Sequence, residues 1–149
     1  MTEIVDEAQN AAGQGNSSAR CYRSGKGEAD HEIAMPLHEL EACATGSGYY
    51  HGLEPPDRRE QLVFLADQCD LMFPRLRLFL FDARLMHSAP VTVFGNSLAI
   101  IYVGKFYLSL RERHRVAALT EHFDWLVRGC TVDARETPHY IRSLAKRGF

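Results

Sequence analysis

The pattern of apolar and polar positions divides the chain into a weakly patterned first third and a strongly patterned remainder. Residues 57–73 and 111–130 repeat apolar side chains at the 3.6-residue spacing of an amphipathic helix, which predicts two long helices. Shorter helices are predicted over residues 36–44, where Pro36 fits a first turn, and over residues 138–146. The chain is therefore expected to have helices both before and after the segment of residues 74–110.

Four strands are predicted in that interval. Residues 76–82 are apolar at nearly every position, which is typical of a strand covered on both faces and predicts a central strand. Residues 91–94 and 98–103 are short apolar runs, and the sequence GNS between them predicts a hairpin turn. Residues 106–110 alternate, which predicts a half-exposed strand. The expected architecture is α+β, a four-stranded, mainly antiparallel meander packed against two main helices in the order α-β-β-β-β-α.

The domain organisation follows from composition. Residues 1–30 are rich in Gly, Ser, Ala, Asn and Gln, and they are predicted to be disordered and dispensable for folding because they bury too little apolar surface. Residues 31–56 are expected to form a short helix and a connector, and residues 57–149 the α+β core domain. The 149 residues correspond to a single domain.

Charge and hydropathy limit the function classes. The first 56 residues carry nine acidic and three basic side chains, and the rest carry ten acidic and fourteen basic ones. That weak basic excess does not predict a nucleic-acid-binding surface. No apolar run approaches the ~18 residues of a membrane span. The N-terminus lacks a basic start and an apolar run, so the expected location is the cytoplasm.

Metal-binding and catalytic patterns are absent from the sequence. None of the four cysteines lies within four residues of another, and no two histidines are four residues apart, so neither a metal site nor a cofactor is expected. No G-x-S-x-G nucleophile motif is present, and the protein is expected not to be an enzyme. The alternative is a small enzyme that uses Asp82, His87 or Cys130.

An aromatic sheet face is the strongest ligand-binding candidate in the sequence. Arg77 shares a strand face with Phe79 and Phe81 by alternation, and an arginine among aromatic rings either anchors an anionic ligand or lies at the rim of the core. If the sheet places the aromatic residues on one side, they line a binding site. The predicted ligand-binding residues are Arg77, Phe79, Phe81, Tyr102, Tyr107 and Trp125.

Self-association is expected through two surfaces. Phe64 and Leu71 lie off the apolar stripe of the first long helix, seven residues apart on a mostly polar face. Tyr107 lies in a strand that is predicted to form a sheet edge, and an uncovered edge invites pairing. A homodimer built from that helix, from the edge strand or from both is therefore predicted.

Four segments of the chain carry a resemblance to a known family. The sequences FPRLRLFLFD, APVTVFG, AIIYVG and LTEHFDWLVR resemble parts of the C-terminal domains of bacterial helix-turn-helix (Cro/repressor-type) transcriptional regulators. The resemblance implies a non-catalytic effector or dimerisation domain that forms a symmetric dimer. No helix-turn-helix pattern occurs in residues 1–56, so direct DNA binding is not expected.

The function expected from sequence is thus a non-catalytic sensor or interaction domain. Its expected ligand is a small molecule or a protein partner, and a regulatory role is implied by the resemblance alone. The alternative from a different class is a purely structural dimerisation module. A sensor would have an apolar pocket with few polar groups, whereas a dimerisation module would have a filled core and an apolar exposed face.

Overall fold

A mixed sheet of six strands organises the protein, and helices cover both of its faces. The computed structural model describes residues 20–24 and 30–147. The strands are β1 (Cys21–Ser24), β2 (His31–Pro36), β3 (Leu76–Phe81), β4 (Val91–Phe94), β5 (Leu98–Val103) and β6 (Phe106–Leu110). The helices are α1 (Leu37–Thr45), α2 (Pro55–Met72), α3 (Arg113–Arg128) and α4 (Thr137–Arg147), with a 3₁₀ turn at Gly48–Tyr50.

The strand order is β3-β2-β1-β4-β5-β6, so the predicted four-stranded antiparallel meander with two main helices is wrong. Strand β1 runs parallel to β4 and antiparallel to β2, and β2 runs parallel to β3. Only β4, β5 and β6 form an antiparallel meander. The α+β class is confirmed, but β3 and β4, neighbours in sequence, lie two strands apart because β1 and β2 pair between them.

The prediction of a disordered N-terminus is wrong for Cys21–Ser24. These residues form β1 in the middle of the sheet, where Cys21 pairs with Ala34 on one side and Val91 on the other. Residues 31–56 likewise begin with a strand rather than with a helix or connector. Residues 1–19 and 25–29, also within the predicted disordered segment, lie outside the described residues. The core domain therefore begins well before residue 57.

Strand β3 is an edge strand, not the predicted central one, although its second half is buried on both faces. Its outer side is covered by the chain after α3. Leu80 exchanges two backbone hydrogen bonds with Val132, at 3.0 and 3.1 Å, and the Thr137 hydroxyl donates to the Leu78 carbonyl at 2.7 Å. This cover explains why the strand is apolar at nearly every position.

The two faces of the sheet bury separate hydrophobic clusters. Helices α1, α2 and α4 pack together over the β2–β3 half of one face, where Leu62, Leu80 and Ile141 are buried. Helix α3 packs on the other face, with Phe123 and Leu126 buried against Val93. Cys69 is buried on α2 as predicted, and burial raises the pKa of its thiol to about 11. Within the described residues, no helix is long and apolar enough to cross a membrane.

Candidate functional site

The structure does not bring the six predicted ligand-binding residues together. Arg77, Phe79 and Phe81 lie on the face of β3 that packs towards α3, in register with Glu32, Ala34 and Pro36 of β2. Tyr102 and Tyr107 pair with each other on the opposite face of β5 and β6. Four strand spacings of ~4.8 Å separate β3 from β5, or about 19 Å. The predicted aromatic site on one side of the sheet is therefore wrong.

Trp125, the sixth predicted residue, lies on α3. Its ring stacks on the imidazole of His122, with the centroids 5.6 Å apart, and its own side chain is partly exposed. Trp125 is among the predicted ligand contacts. Within the described residues, however, no site brings it together with Arg77 or with the two tyrosines.

Arg77 is held by groups of the protein itself. Its guanidinium lies 3.3 Å from a carboxylate oxygen of Glu32 and donates to the Pro74 carbonyl at 3.1 Å. Glu32 also binds Arg23, whose guanidinium contacts Asp124 and lies 4.4 Å from the centre of the Phe123 ring. Two carboxylates thus offset two arginines, which favours a structural ion-pair network over an anion-binding site.

An open groove of about 720 Å³ lies beside β3 and includes two of the predicted residues. Arg77 and Phe79 line it together with Phe73, Pro74 and residues 133–136. Its charges are mixed, because Asp133 and Glu136 accompany Arg77 and Arg135. The groove therefore shows no preference for a ligand of either charge.

The three residues of the alternative enzyme hypothesis are not joined into a site. The Asp82 carboxylate accepts hydrogen bonds from the side chain and the backbone amide of Arg84, and these bonds lower its pKa. His87 is exposed, and burial raises the pKa of the partly buried Cys130 thiol. Within the described residues, no hydrogen bond connects any two of Asp82, His87 and Cys130.

A buried polar trio was not found from the sequence. Ser88 Oγ lies 2.8 Å from His122 Nε2 and 3.2 Å from Cys21 Sγ, and Ser88 is only 5% exposed. A serine beside a neutral imidazole is the pairing that activates a nucleophile. The Ser88 hydroxyl also donates to the Ala89 carbonyl at 2.7 Å, and the direction of the Ser88–His122 hydrogen bond depends on the imidazole tautomer. The trio therefore ties together β1, the segment before β4 and α3.

An apolar cavity of about 190 Å³ lies between α1, α2 and the β2–β3 half of the sheet. Apolar side chains form most of its wall, and three polar side chains complete it. The apolar residues are Ile33, Met35, Leu40, Cys43, Leu62, Leu65 and Leu78, and the polar ones are Arg20, Tyr50 and Gln61. None of these residues belongs to the predicted site, because the wall comes from two helices, two strands, the 3₁₀ turn and Arg20, which no short sequence pattern links.

The helix pair that forms the cavity wall is fixed by Arg58. This buried arginine on α2 donates to the carbonyls of Cys43 and Ala44 at the end of α1, at 3.3 and 2.9 Å. Helix α1 ends there because Gly46 adopts a left-handed conformation, with φ of 73°, and a Cβ at that position would lie 2.6 Å from the Arg58 guanidinium. The glycine thus makes room for the arginine that ties α1 to α2.

The cavity is close to neutral electrically. Burial raises the pKa of the Cys43 thiol and of the Tyr50 hydroxyl, so both are uncharged near neutral pH. Arg20 is the one cation among the described residues that line the cavity, and its Nε lies 3.3 Å from a Glu39 carboxylate oxygen. This arrangement is suited to a small uncharged molecule, because an isolated buried ion would be costly.

The predicted interface residues are exposed, on two separate surfaces. Phe64 and Leu71 project from α2, and Tyr107 lies on β6. The prediction that β6 forms a sheet edge is confirmed, but its half-exposed pattern is wrong, since Phe106 to Ser109 are exposed on both faces. Whether either surface forms a dimer stays a prediction.

Comparisons with known proteins add no relative. No protein-family model, no curated protein and no solved structure matches this chain. In the part of the chain that the structure describes, no group of three or more His, Cys, Asp or Glu side chains is arranged to hold a metal ion.

Proposed function

We propose that this protein is a non-catalytic sensor domain that binds a small apolar molecule between α1, α2 and the sheet. The observation that carries the proposal is the cavity of about 190 Å³ with a mostly apolar wall. Binding sites for small molecules are typically concave and apolar, with a few polar groups that fix orientation. Arg20, Tyr50 and Gln61 are those groups here.

The volume and the wall define the class of ligand. An engineered apolar cavity of ~150 Å³ accepts benzene, so a cavity of this size suits a molecule of one or two rings or a branched aliphatic of similar bulk. The ligand is uncharged, because the Arg20 guanidinium is already paired with Glu39. A single hydroxyl or ring N–H on the ligand would hydrogen-bond to the side chain of Tyr50 or Gln61.

A sensor also needs an output. The resemblance to effector domains of bacterial transcriptional regulators suggests one. In this proposal, ligand binding changes how the protein associates with a regulatory partner in the cytoplasm, or how two copies associate in a homodimer. The cavity supports this version of the function over a purely structural module, because a module that only dimerises has no need of an unfilled space behind α1 and α2.

The test is a titration of the protein with benzene and with indole. Binding is measured by calorimetry and by the shift of the melting temperature. Leu65 lines the cavity and is only partly buried, so Leu65→Trp should fill the space while keeping an apolar side chain at that position. Leu71→Trp is the matched control, because Leu71 lies on the same helix but is 74% exposed.

Saturable binding of one ligand per chain is expected for the native protein and for Leu71→Trp, together with a raised melting temperature. Folded Leu65→Trp should lose that binding. The proposal is overturned if neither probe binds the native protein at its solubility limit, or if folded Leu65→Trp binds as well as the native chain.

A further inference from the structure

The outer edge of β6 is an exposed apolar strand. Among the described residues, no strand pairs with it, since β6 ends the strand order. Phe106 is 77% exposed and Leu108 is 57% exposed, and the neighbouring Val103 and Tyr107 are exposed as well. Helix α3 packs against β2, β3, β4 and β5 but leaves these side chains uncovered. Contiguous exposed apolar surface beside a sheet edge marks an interaction site.

The backbone groups that face outward on β6 follow from its register. A two-residue turn at Gly104 and Lys105 joins β5 to β6, so Val103 and Phe106 form the hydrogen-bonded pair that closes the hairpin. Bonded and open pairs alternate from there, which makes Tyr102 with Tyr107 an open pair. The Tyr102 amide accordingly donates the other way, to the Pro90 carbonyl at 3.0 Å.

The same alternation fixes the free donors and acceptors of the edge. Ile100 with Ser109 is the next open pair, two residues further along β6. The amides and carbonyls of Tyr107 and Ser109 therefore point away from β5 and are available to another strand, whereas those of Phe106, Leu108 and Leu110 are used within the hairpin. A new strand would also lie beside the exposed Phe106 and Leu108 side chains.

The charges around β6 select the kind of strand that fits. Residues 105–115 contain four Lys or Arg side chains and one Glu. Lys105 and Arg111 stand at the two ends of the strand, and both are exposed. If two copies of β6 paired about Leu108, Lys105 of each would oppose Arg111 of the other, and like charges across a strand pair are destabilising.

We infer that β6 binds an extended segment of a partner protein, with apolar side chains at alternate positions and acidic residues at its ends. The partner strand adds to the sheet by backbone hydrogen bonds to Tyr107 and Ser109. Its apolar side chains cover Phe106 and Leu108, and its acidic ends face Lys105 and Arg111. This interaction surface does not depend on the cavity, and the two are tested separately.

The probe is a labelled peptide with the sequence EEVTVTVEE, and its counterpart KKVTVTVKK has the opposite end charges. Binding is followed by fluorescence anisotropy at low and at physiological salt. Ser109→Pro removes an outward amide without removing a bond to β5, and edge strands tolerate proline at such positions. Ser109→Ala keeps the amide and is the matched control.

The acidic peptide should bind the native chain and Ser109→Ala alike, and roughly tenfold more weakly to Ser109→Pro. It should also bind roughly tenfold more tightly than the basic peptide, with an advantage that shrinks as salt rises. A second variant that keeps every backbone amide, Lys105→Glu with Arg111→Glu, should reverse the preference between the peptides.

Any one of four results would overturn the inference. The acidic peptide does not bind the native chain; the two peptides bind equally; or the charge-reversed variant keeps the preference for the acidic peptide. A native dimer in sedimentation that becomes a monomer in folded Ser109→Pro would show that a second copy occupies the edge, which also overturns it.

Discussion

His122 Nε2 lies 2.8 Å from Ser88 Oγ, and this contact joins α3 to the segment that leads into β4. Trp125 stacks on the same imidazole. Burial lowers the pKa of His122, because water that would solvate the charged ring is excluded. The folded protein therefore holds this histidine in its neutral form.

That depressed pKa makes the stability depend on pH. The unfolded chain protonates His122 near pH 6.5, whereas the folded chain does so only at a lower pH. The contribution of His122 is thus present above about pH 6.5 and is lost as the pH falls through the folded-state value. The free energy of unfolding in urea should fall from pH 7.5 to 5.5 in the native chain.

The substitution His122→Gln should flatten that fall, since glutamine does not titrate. His114→Gln is the control, because the His114 side chain is 77% exposed. If the native and His122→Gln proteins lose stability in parallel over this pH range, His122 is not the group responsible.

Leu80 should be among the most costly residues to truncate. It is fully buried, and both of its neighbours on β3 are also buried. Leu80→Ala is expected to lower the free energy of unfolding by about 2–5 kcal/mol, measured by urea denaturation. Leu85→Ala, at an exposed position in the next turn, should change it by less than about 0.5 kcal/mol. A Leu80→Ala effect as small as that of Leu85→Ala would mean that β3 is not packed as described.

Gly46 and Gly48 separate backbone strain from steric contact. Both have positive φ, but only Gly46 has a neighbour where a Cβ would lie, the Arg58 guanidinium at 2.6 Å. Gly48→Ala should lower the free energy of unfolding by roughly 1–2 kcal/mol, because alanine is strained in the left-handed backbone conformation. Thermal melts should show a larger loss of stability for Gly46→Ala than for Gly48→Ala, because Arg58 must also move from the carbonyls of α1. Equal losses would mean that Arg58 adjusts without penalty.

Residues 1–30 were predicted to be dispensable for folding, but because they include β1 we now expect the protein to need them. A chain that begins at residue 30 lacks β1, and β2 and β4 then have no strand between them. Such a chain should show no cooperative thermal transition by circular dichroism, in contrast to the full chain. A truncated chain with an unchanged melting temperature would contradict the central placement of Cys21–Ser24.

The predicted homodimer can still form through the exposed face of α2. Phe64 and Leu71 are exposed there, two turns apart on the same helix. Phe64→Glu with Leu71→Glu should convert a native dimer to a monomer in sedimentation at tens of micromolar, because apolar burial drives such contacts. A native monomer at that concentration would rule the dimer out.

Local periodicity predicted the parts of the fold whose signals lie within one element. Helices α2 and α3 have a regular apolar stripe, β3 to β5 are short apolar runs, and β6 alternates, so the predicted bounds of these elements lie close to the observed ones. Strand β1, with the sequence CYRS, has no such pattern, and its place is fixed by pairing with β2 and β4. A strand of four residues that depends on partners far along the chain cannot be inferred from its own side chains.

The candidate site was missed for the same reason. The cavity wall combines Ile33 and Met35 of β2, Leu40 of α1 and Leu62 of α2, so its members become neighbours only through the tertiary fold. Arg23 and Asp124 form an ion pair across 101 residues of sequence. By contrast, the edge position of β6 was predictable, because it depends on the exposure of a single strand.

The parallel pairing of β1 with β4 sets an order of events during synthesis on the ribosome. Strand β1 emerges first, yet its register partner Val91 is translated 70 residues after Cys21. Until β4 has left the ribosome, one edge of β1 has no partner strand, although that edge is paired in the middle of the finished sheet. A pause in translation before residue 91 would prolong that exposure, and a chaperone that shields unpaired strands would act on this protein before strands β4 to β6 exist.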